Sequence, residues 1–428
     1  MNVVFLEASS GNVVGGSLTG MLELLRGIAE RRGRDDGDGR SGIAPHVVLY
    51  ENKSVIADLQ ARGIPVHVFD KRRLPKEHGL EANPTYARAK NVSAVAGALR
   101  TLRVTGTFLL ETVPTALRLA RLLRPIRPAL VYVANGFRGN ADAIVAARLL
   151  GVPCVVHAKG FDKLSYVERG LSRGVDLCIS MTMAIEEHCR AGGMRPRQFA
   201  VVYDGLDLRA FQPRRPRQDV RDEFGIAADA ELVGVVGNVQ EWKGQRVLVE
   251  ALELLRERRP RLVLMIVGGI HRSGLAYADA MKERIRQQGL ESRVIWTGAR
   301  PDVPDLLGAM DVVTHTSVRG EPFGRVIIEA MAVGRPIVAT RAGGVPEFVR
   351  DGEDCVLTTP GDAGELSAVL DRLLSDAGLR QRLSNGALES AQRFALDKHV
   401  ETITSLFEEV LARRTHAGNA AAVPGGAS

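Results

Sequence analysis

Short apolar runs along this chain alternate with segments whose apolar residues recur every three or four positions, the pattern of strand followed by amphipathic helix. Residues 2–8 read as a strand, 9–16 as a glycine-containing loop and 18–30 as a helix. A charged, glycine-rich excursion spans 31–41, followed by a strand at 46–50, a helix near 54–62 and a strand at 66–69. The rhythm continues with strands at 130–134, 154–157 and 177–180 and a helix at 141–150. Repeated alternation of this kind predicts a parallel sheet wrapped by helices. After Phe211-Gln-Pro-Arg-Arg-Pro216, which reads as a linker, the pattern restarts with strands at 232–236, 262–267, 293–296, 312–315 and 336–339. The expected organisation is a first α/β domain over 1–208, a linker at 209–216 and a second α/β domain over 217–395. A C-terminal helix over 396–414, with a return to the first domain left open, and a disordered tail over 415–428 complete it.

Length agrees with two domains, because 428 residues exceed what one ordinary core organises. No apolar run is long enough to cross a bilayer, and the first residues lack a basic leader, so a cytoplasmic protein is expected. The four cysteines, Cys154, Cys178, Cys189 and Cys355, have neither metal-ligand nor redox-motif spacing, which points to buried free thiols. Net charge is +7 and unevenly placed: residues 1–205 hold 28 lysines and arginines against 19 acidic residues, the remainder 29 against 31. Within that basic half, Arg88, Lys90, Arg100, Arg103, Arg118, Arg121, Arg124 and Arg127 are interleaved with apolar residues. Such a face suits an anionic membrane surface, or is simply a solvated arginine face on a packed helix. Nucleic acid is not expected, since no aromatic interleaving or known motif accompanies the charge.

Candidate chemistry concentrates in Glu321-Pro-Phe-Gly-Arg-Val-Ile-Ile-Glu329. A buried strand precedes it and an apolar helix follows, so Glu321 falls before a helix N-terminus and Glu329 within the helix. If the intervening residues are helical, eight of them separate the carboxylates by roughly 12 Å, about the span of a sugar diphosphate nucleoside. The amides of Phe323, Gly324 and Arg325 and the positive end of the helix dipole would receive a diphosphate, and a carboxylate is the usual acceptor for ribose hydroxyls. Alternatively Glu321 is a helix N-terminal charge and Glu329 a solvated residue. Apolar neighbours on both sides of Glu329 weigh against the second half of that alternative, because a carboxylate there is costly unless bonded.

Two such domains, with this Glu-x7-Glu in the second, resemble the GT-B fold: two doubly wound Rossmann-like parallel-sheet domains facing a central cleft. In particular they resemble the retaining glycosyltransferases of family 4, over nearly the whole chain. Gly237-Asn-Val-Gln-Glu-Trp-Lys243-Gly244 is similar to the family's strand-end phosphate loop, with Asn238 where arginine is frequent. Val201-Val-Tyr-Asp204-Gly205-Leu-Asp207 resembles the Asn-Gly element before the linker, with Asp204 replacing asparagine. Thr297-Gly298-Ala-Arg300 resembles the segment that meets the base, and Ala342-Gly343-Gly344-Val-Pro346-Glu347 the glycine loop after the next strand. Gly15-Gly16 resembles the pair against the donor phosphate, and His157 stands where a family histidine meets the donor sugar.

The resemblance implies transfer of a sugar from a nucleotide diphosphate sugar to a hydroxyl acceptor, a glycan or a lipid-linked one as in surface polysaccharide assembly. Anomeric configuration would be retained, and neither metal nor other cofactor would be needed. Glu321, His157 and Lys243 would be the catalytic set. Glu321 would bond sugar hydroxyls, Glu329 the ribose and Lys243 the diphosphate, with Gly15, Gly16, Gly237, Asn238, Gly298, Arg300, Pro322, Phe323, Gly324 and Arg325 completing the donor site. Asn135 and Lys159 would serve the acceptor. A GT-B epimerase or phosphorylase, or a non-catalytic scaffold that binds sugar nucleotides, are the alternatives.

Overall fold

A computed structural model of the chain describes residues 1–8, 16–34, 42–71 and 101–421. Gly15, Arg88, Lys90, Arg100 and nearly all of the segment 71–91, expected to meet the acceptor, lie outside these residues. The chain divides into two units, Met1–Val202 joined by the chain from Val400 onward, and Tyr203–His399.

The first unit is built on a seven-stranded sheet of β1 (Asn2–Glu7), β2 (Ala44–Leu49), β3 (Val66–Val68), β4 (Leu130–Val133), β5 (Cys154–Ala158), β6 (Leu177–Ser180) and β7 (Gln198–Val201). Their order is β3-β2-β1-β4-β5-β6-β7, every pairing parallel. Because helices cover both faces, the central strands are almost uniformly apolar and fully buried, as in Val3-Val-Phe-Leu6 and Leu130-Val-Tyr-Val133. The long helix Leu396–Ala421 belongs to this unit from Val400 on, and Phe407 packs edge-on against Phe5 and Tyr132. It continues past residue 414 to Ala421, within the stretch expected to be a disordered tail.

In the second unit, β8 (Glu231–Val236), β9 (Leu262–Val267), β10 (Val294–Gly298), β11 (Val312–His315), β12 (Ile337–Thr340) and β13 (Val356–Thr358) form a parallel sheet in the order β10-β9-β8-β11-β12-β13. Both sheets reverse direction beside their first strand, between β1 and β4 and between β8 and β11. Open parallel sheets bind ligands at the carboxyl ends of the strands at such a reversal. The proline and arginine stretch expected as a linker is strapped to the second unit: Arg214 and Arg215 amides donate to Asp305, and the Gln212 side chain donates to the Ala332 carbonyl.

Candidate functional site

At the carboxyl end of β8 the chain turns at Gly237, whose φ of 147° few side chains tolerate, and reaches a short 3₁₀ turn, Glu241–Lys243. Gly244 closes that turn with φ 66°, and a Cβ there would lie 2.1 Å from the Thr316 carbonyl oxygen. That near contact is the joint between two loops. Thr316 Oγ1 donates to the Lys243 carbonyl at 2.9 Å, and the Val318 amide donates to Trp242 at 2.9 Å. The loop after β8, with Lys243, is thereby fixed on the carboxyl end of β11, with His315, and the segment after it, with Ser317 and Glu321.

Three donors converge on one oxygen of Glu321. Its Oε2 accepts from Lys243 Nζ at 2.7 Å, Ser317 Oγ at 2.8 Å and His315 Nε2 at 3.0 Å, while Oε1 accepts no hydrogen bond among the described residues. A carboxylate can only accept, so His315 donates from Nε2. Burial pushes the Glu321 carboxyl up, but the His315 hydrogen bond and the Lys243 charge outweigh it and hold the pKa at about 2. The side chain is 7% exposed, which makes it a buried carboxylate kept ionised by its partners. Lys243 also lies over the Trp242 ring, 4.1 Å from its centroid.

The backbone of Glu321 is held as firmly. The Gly344 amide donates to its carbonyl at 2.9 Å, and Gly343, at φ 60°, comes so close that a Cβ would sit 2.2 Å from that oxygen. Beyond Glu321 and the half-buried Pro322, Phe323 is buried in an aromatic cluster with Tyr203, Phe348 and Phe394, its ring 4.7 Å from that of Phe348. The helix starts only at Arg325, behind Gly324 at φ 88°, so residues 321–324 are not helical. The roughly 12 Å axial separation of the carboxylates therefore does not apply: a buried aromatic plug and a left-handed glycine break the helix that estimate assumed. Glu329, 16% exposed, pairs with Arg325 at 3.1 Å. Burial raises its pKa against the opposing pull of that guanidinium.

Strand-end glycines floor the site. The Gly268 amide donates to Gly298 at 2.9 Å, and a Cβ on Gly268 would stand 2.1 Å from the Gly237 oxygen. Two expected donor residues are not drawn into the Glu321 cluster. Asn238 is exposed and its carbonyl accepts from Gln245. Arg300 is committed to both oxygens of Asp302, at 2.8 and 2.6 Å, and to Glu223 at 3.0 Å, contacts that raise its pKa further. An arginine so neutralised builds the packing of helix Arg217–Glu223.

In the first unit, the carboxyl ends of β1, β4 and β5 carry a second polar group. Glu7, at the end of β1, accepts from buried Lys53 at 2.7 Å and from Asn135 at 3.4 Å. His157 Nδ1 lies 2.5 Å from the Tyr132 hydroxyl, and its carbonyl accepts from the Gly136 amide at 2.8 Å. Asn135 and His157 thus flank one turn, Lys159 follows half-buried, and Gly16 opens the helix Gly16–Arg34. Among the described residues no cluster of three His, Cys, Asp or Glu side chains is arranged to hold a metal ion.

The model of the family "Glycosyltransferase Family 4" matches residues 53–210, and that of "Glycosyl transferases group 1" matches residues 216–390. The chain belongs to glycosyltransferase family 4. A D-inositol 3-phosphate glycosyltransferase of Streptomyces bingchenggensis is 32% identical over 53% of this chain and 51% of its own. A lipopolysaccharide core biosynthesis mannosyltransferase of Rhizobium meliloti is 29% identical over 49% of this chain and 61% of its own. The chain thus spans about half the length of the first of these relatives. Over the full fold, HepE of Anabaena, solved with UDP-glucose, superposes with a TM-score of 0.74 at 26% identity, covering 96% of this chain and 100% of HepE. The two Rossmann-like sheets described above are those of the GT-B fold.

Several residues that the structure brings to these two strand-end groups were not found from sequence. His315 and Ser317 were visible only as the end of a buried strand, and nothing in their spacing marks them as partners of Glu321. Gly268 follows an apolar strand just as Gly237 does, a signal that could have found it. Glu7, Lys53 and Tyr132 come from separate strands and loops, and only the fold joins them. Asp204-Gly205 serves a crossing of the chain: a Cβ on Gly205 would stand 2.6 Å from His399 Cβ, and Leu206 bridges Ala395.

Proposed function

We propose that this protein is a retaining glycosyltransferase that moves a sugar from a nucleotide diphosphate sugar to a hydroxyl acceptor. One observation carries the proposal: Glu321, at the sheet reversal of the second unit, has one oxygen saturated by Lys243, Ser317 and His315 and the other left without a hydrogen bond among the described residues. A buried carboxylate pinned ionised in this way is a pre-organised acceptor for sugar hydroxyls. The bound nucleotides in HepE support the same assignment and make UDP the first to test.

In this mechanism Lys243, with the amides at Gly324 and Arg325, neutralises the diphosphate without a metal, and Glu329 accepts from the ribose hydroxyls in place of Arg325. Leaving-group stabilisation supplies most of the rate, and the departing phosphate accepts the proton of the attacking hydroxyl. His157 remains the candidate for a donor-sugar hydroxyl on the strength of the family resemblance. The decisive experiment is a thermal-shift screen, with chelator present, against UDP, GDP, ADP and their sugar conjugates. Stabilisation by one series, lost in Glu329→Ala, is expected; no shift with any would favour a scaffold that has lost the donor.

For the acceptor, a lipid-linked molecule at an anionic membrane has one specific support. Leu110 and Leu117 are 68% and 43% exposed on the segment that also exposes Arg121 and Arg124, an apolar and basic face in solvent. Arg118 is instead stacked over Phe69, at 5.2 Å. Arg121→Glu with Arg124→Glu should reduce sedimentation with phosphatidylglycerol vesicles and leave donor hydrolysis intact; unchanged sedimentation would remove the membrane. No helix among the described residues is long and apolar enough to cross one.

A further inference from the structure

The amino ends of β5 and β6, at the end of the first sheet opposite to His157, border an open-sided pocket of about 470 Å³ that the proposed transfer does not use. Four arginines line it: Arg148, Arg173, Arg197 and Arg414, the last carried in by the C-terminal helix. The acidic group facing them is Asp176. It accepts both Arg414 nitrogens at 3.0 Å and the Cys154 amide at 2.9 Å, and lies 3.7 Å from Arg197. Arg148 and Arg173 have no carboxylate partner among the described residues. Four guanidiniums against one carboxylate leave the wall at about +3, a self-repulsion that a bound anion relieves.

Two of these charges have a structural reason, since Arg148 and Arg173 stand at the carbonyl ends of helices Ala141–Leu150 and Tyr166–Ser172 and oppose their dipoles. That does not account for the glycines beside them. Gly170 lies inside the second helix, where glycine destabilises relative to alanine, yet a Cβ there would meet nothing within 4 Å. Packing does not require glycine at 170. Gly151, by contrast, is explained by its φ of 68° at the cap of the first helix, although it too leaves open space where a side chain would stand.

We propose that this pocket binds a phosphate-bearing ligand, with Arg148 and Arg173 as the unneutralised anchors and Gly170 keeping the floor clear. Guanidinium forks match phosphate oxygens in pairs. The phosphate could belong to a soluble ester or to a lipid headgroup, and the experiment separates the two.

Inorganic pyrophosphate is titrated calorimetrically into the full chain, with saturating UDP present to occupy the proposed donor site, alongside Arg148→Gln with Arg173→Gln and Gly170→Leu. Phosphatidylglycerol and phosphatidylcholine vesicles form a second arm. A pyrophosphate affinity that falls about tenfold or more in both variants, with UDP binding unchanged, supports a soluble phosphate ligand. Sedimentation with phosphatidylglycerol vesicles that both variants lose, without pyrophosphate binding, supports a headgroup. Loss in the arginine variant while Gly170→Leu binds normally would reduce the effect to diffuse charge and overturn the pocket, as would no binding in either arm. Gly170→Leu retains every charge, and circular dichroism confirms that each variant is folded.

Discussion

Glu321 and Glu329 are both carboxylates near the same helix start, yet their surroundings push them in opposite directions, and this separates their expected behaviour. Glu321 is held at about 2 when folded against an ordinary 4.5, so its ionised form contributes stability above pH 4.5 that is lost as pH falls toward 2. The difference corresponds to on the order of 3 kcal/mol. Urea denaturation at pH 6 and pH 3 should therefore show the wild type losing more stability than Glu321→Gln, and parallel losses would refute the buried ion cluster. Transfer by Glu321→Gln should fall by about a hundredfold or more, because a charged acceptor is replaced where transition-state hydrogen bonds strengthen. For Glu329 the raised pKa reverses the sign: its charge costs stability above the folded pKa, and the cost is relieved as pH falls through it. Glu329→Gln should melt within about 1 kcal/mol of wild type while losing about tenfold or more in nucleotide affinity. A variant that unfolds and binds normally would assign the residue to packing. Both carboxylates were legible in sequence through their spacing and apolar company. Of the three donors to Glu321, Lys243 was legible in the strand-end loop, but His315 and Ser317 were not, because a histidine and a serine at a strand end signal nothing until the loop with Lys243 is folded against them.

Among the elements, the loops that hold the site depend on glycine for reasons that differ by position, and substitution should rank them. Gly298 has φ 68° but open space around a Cβ, so alanine there suffers backbone strain alone, about 1–2 kcal/mol. Gly343, at φ 60°, adds a Cβ 2.2 Å from the Glu321 backbone carbonyl oxygen, so alanine must also displace the loop that holds the Glu321 backbone. Gly343→Ala should cost more than Gly298→Ala in chemical denaturation and, unlike it, lower transfer by about tenfold or more. Equal effects on activity would mean that the loop after β12 does not position Glu321. Most strands were readable from pattern, including β5 and β11, whose apolar runs are only three and two residues. β7 (Gln198–Val201) and β13 (Val356–Thr358) were not, since each is a short edge strand with a polar residue at one end and too few positions to establish a period. The apolar helix after Glu321 was legible in its place; only the extension of helix through 321–324 fails, because Gly324 takes a left-handed conformation and the Phe323 ring packs into the aromatic cluster.

At the scale of the whole molecule, each unit owns a separate part of the chain's fate, and the C-terminal helix decides how that part is apportioned. Sequence placed the boundary at the prolines and arginines of 209–216, where composition changes. The compact division instead falls at Tyr203, whose ring joins Phe323, Phe348 and Phe394 in the second unit, and again near Val400, beyond which the helix packs on the first. No local pattern reveals this, since it depends on which core an aromatic residue reaches. Phe407 is fully buried against Phe5, on the central strand β1, and Tyr132, on its neighbour β4, so truncating it opens a cavity in the first unit alone. Phe407→Ala should destabilise that unit by about 3–5 kcal/mol. A two-unit chain need not unfold in one step, so calorimetric melting with and without UDP is the appropriate measurement. In the variant the transition of the first unit should move down, while the transition that UDP raises should keep its position and its ligand shift, because Glu321, Lys243 and Glu329 all lie within Tyr203–His399. If Phe407→Ala lowered both transitions equally, or abolished the nucleotide shift, the C-terminal helix would have to be counted as support for the donor site rather than as part of the first unit's core.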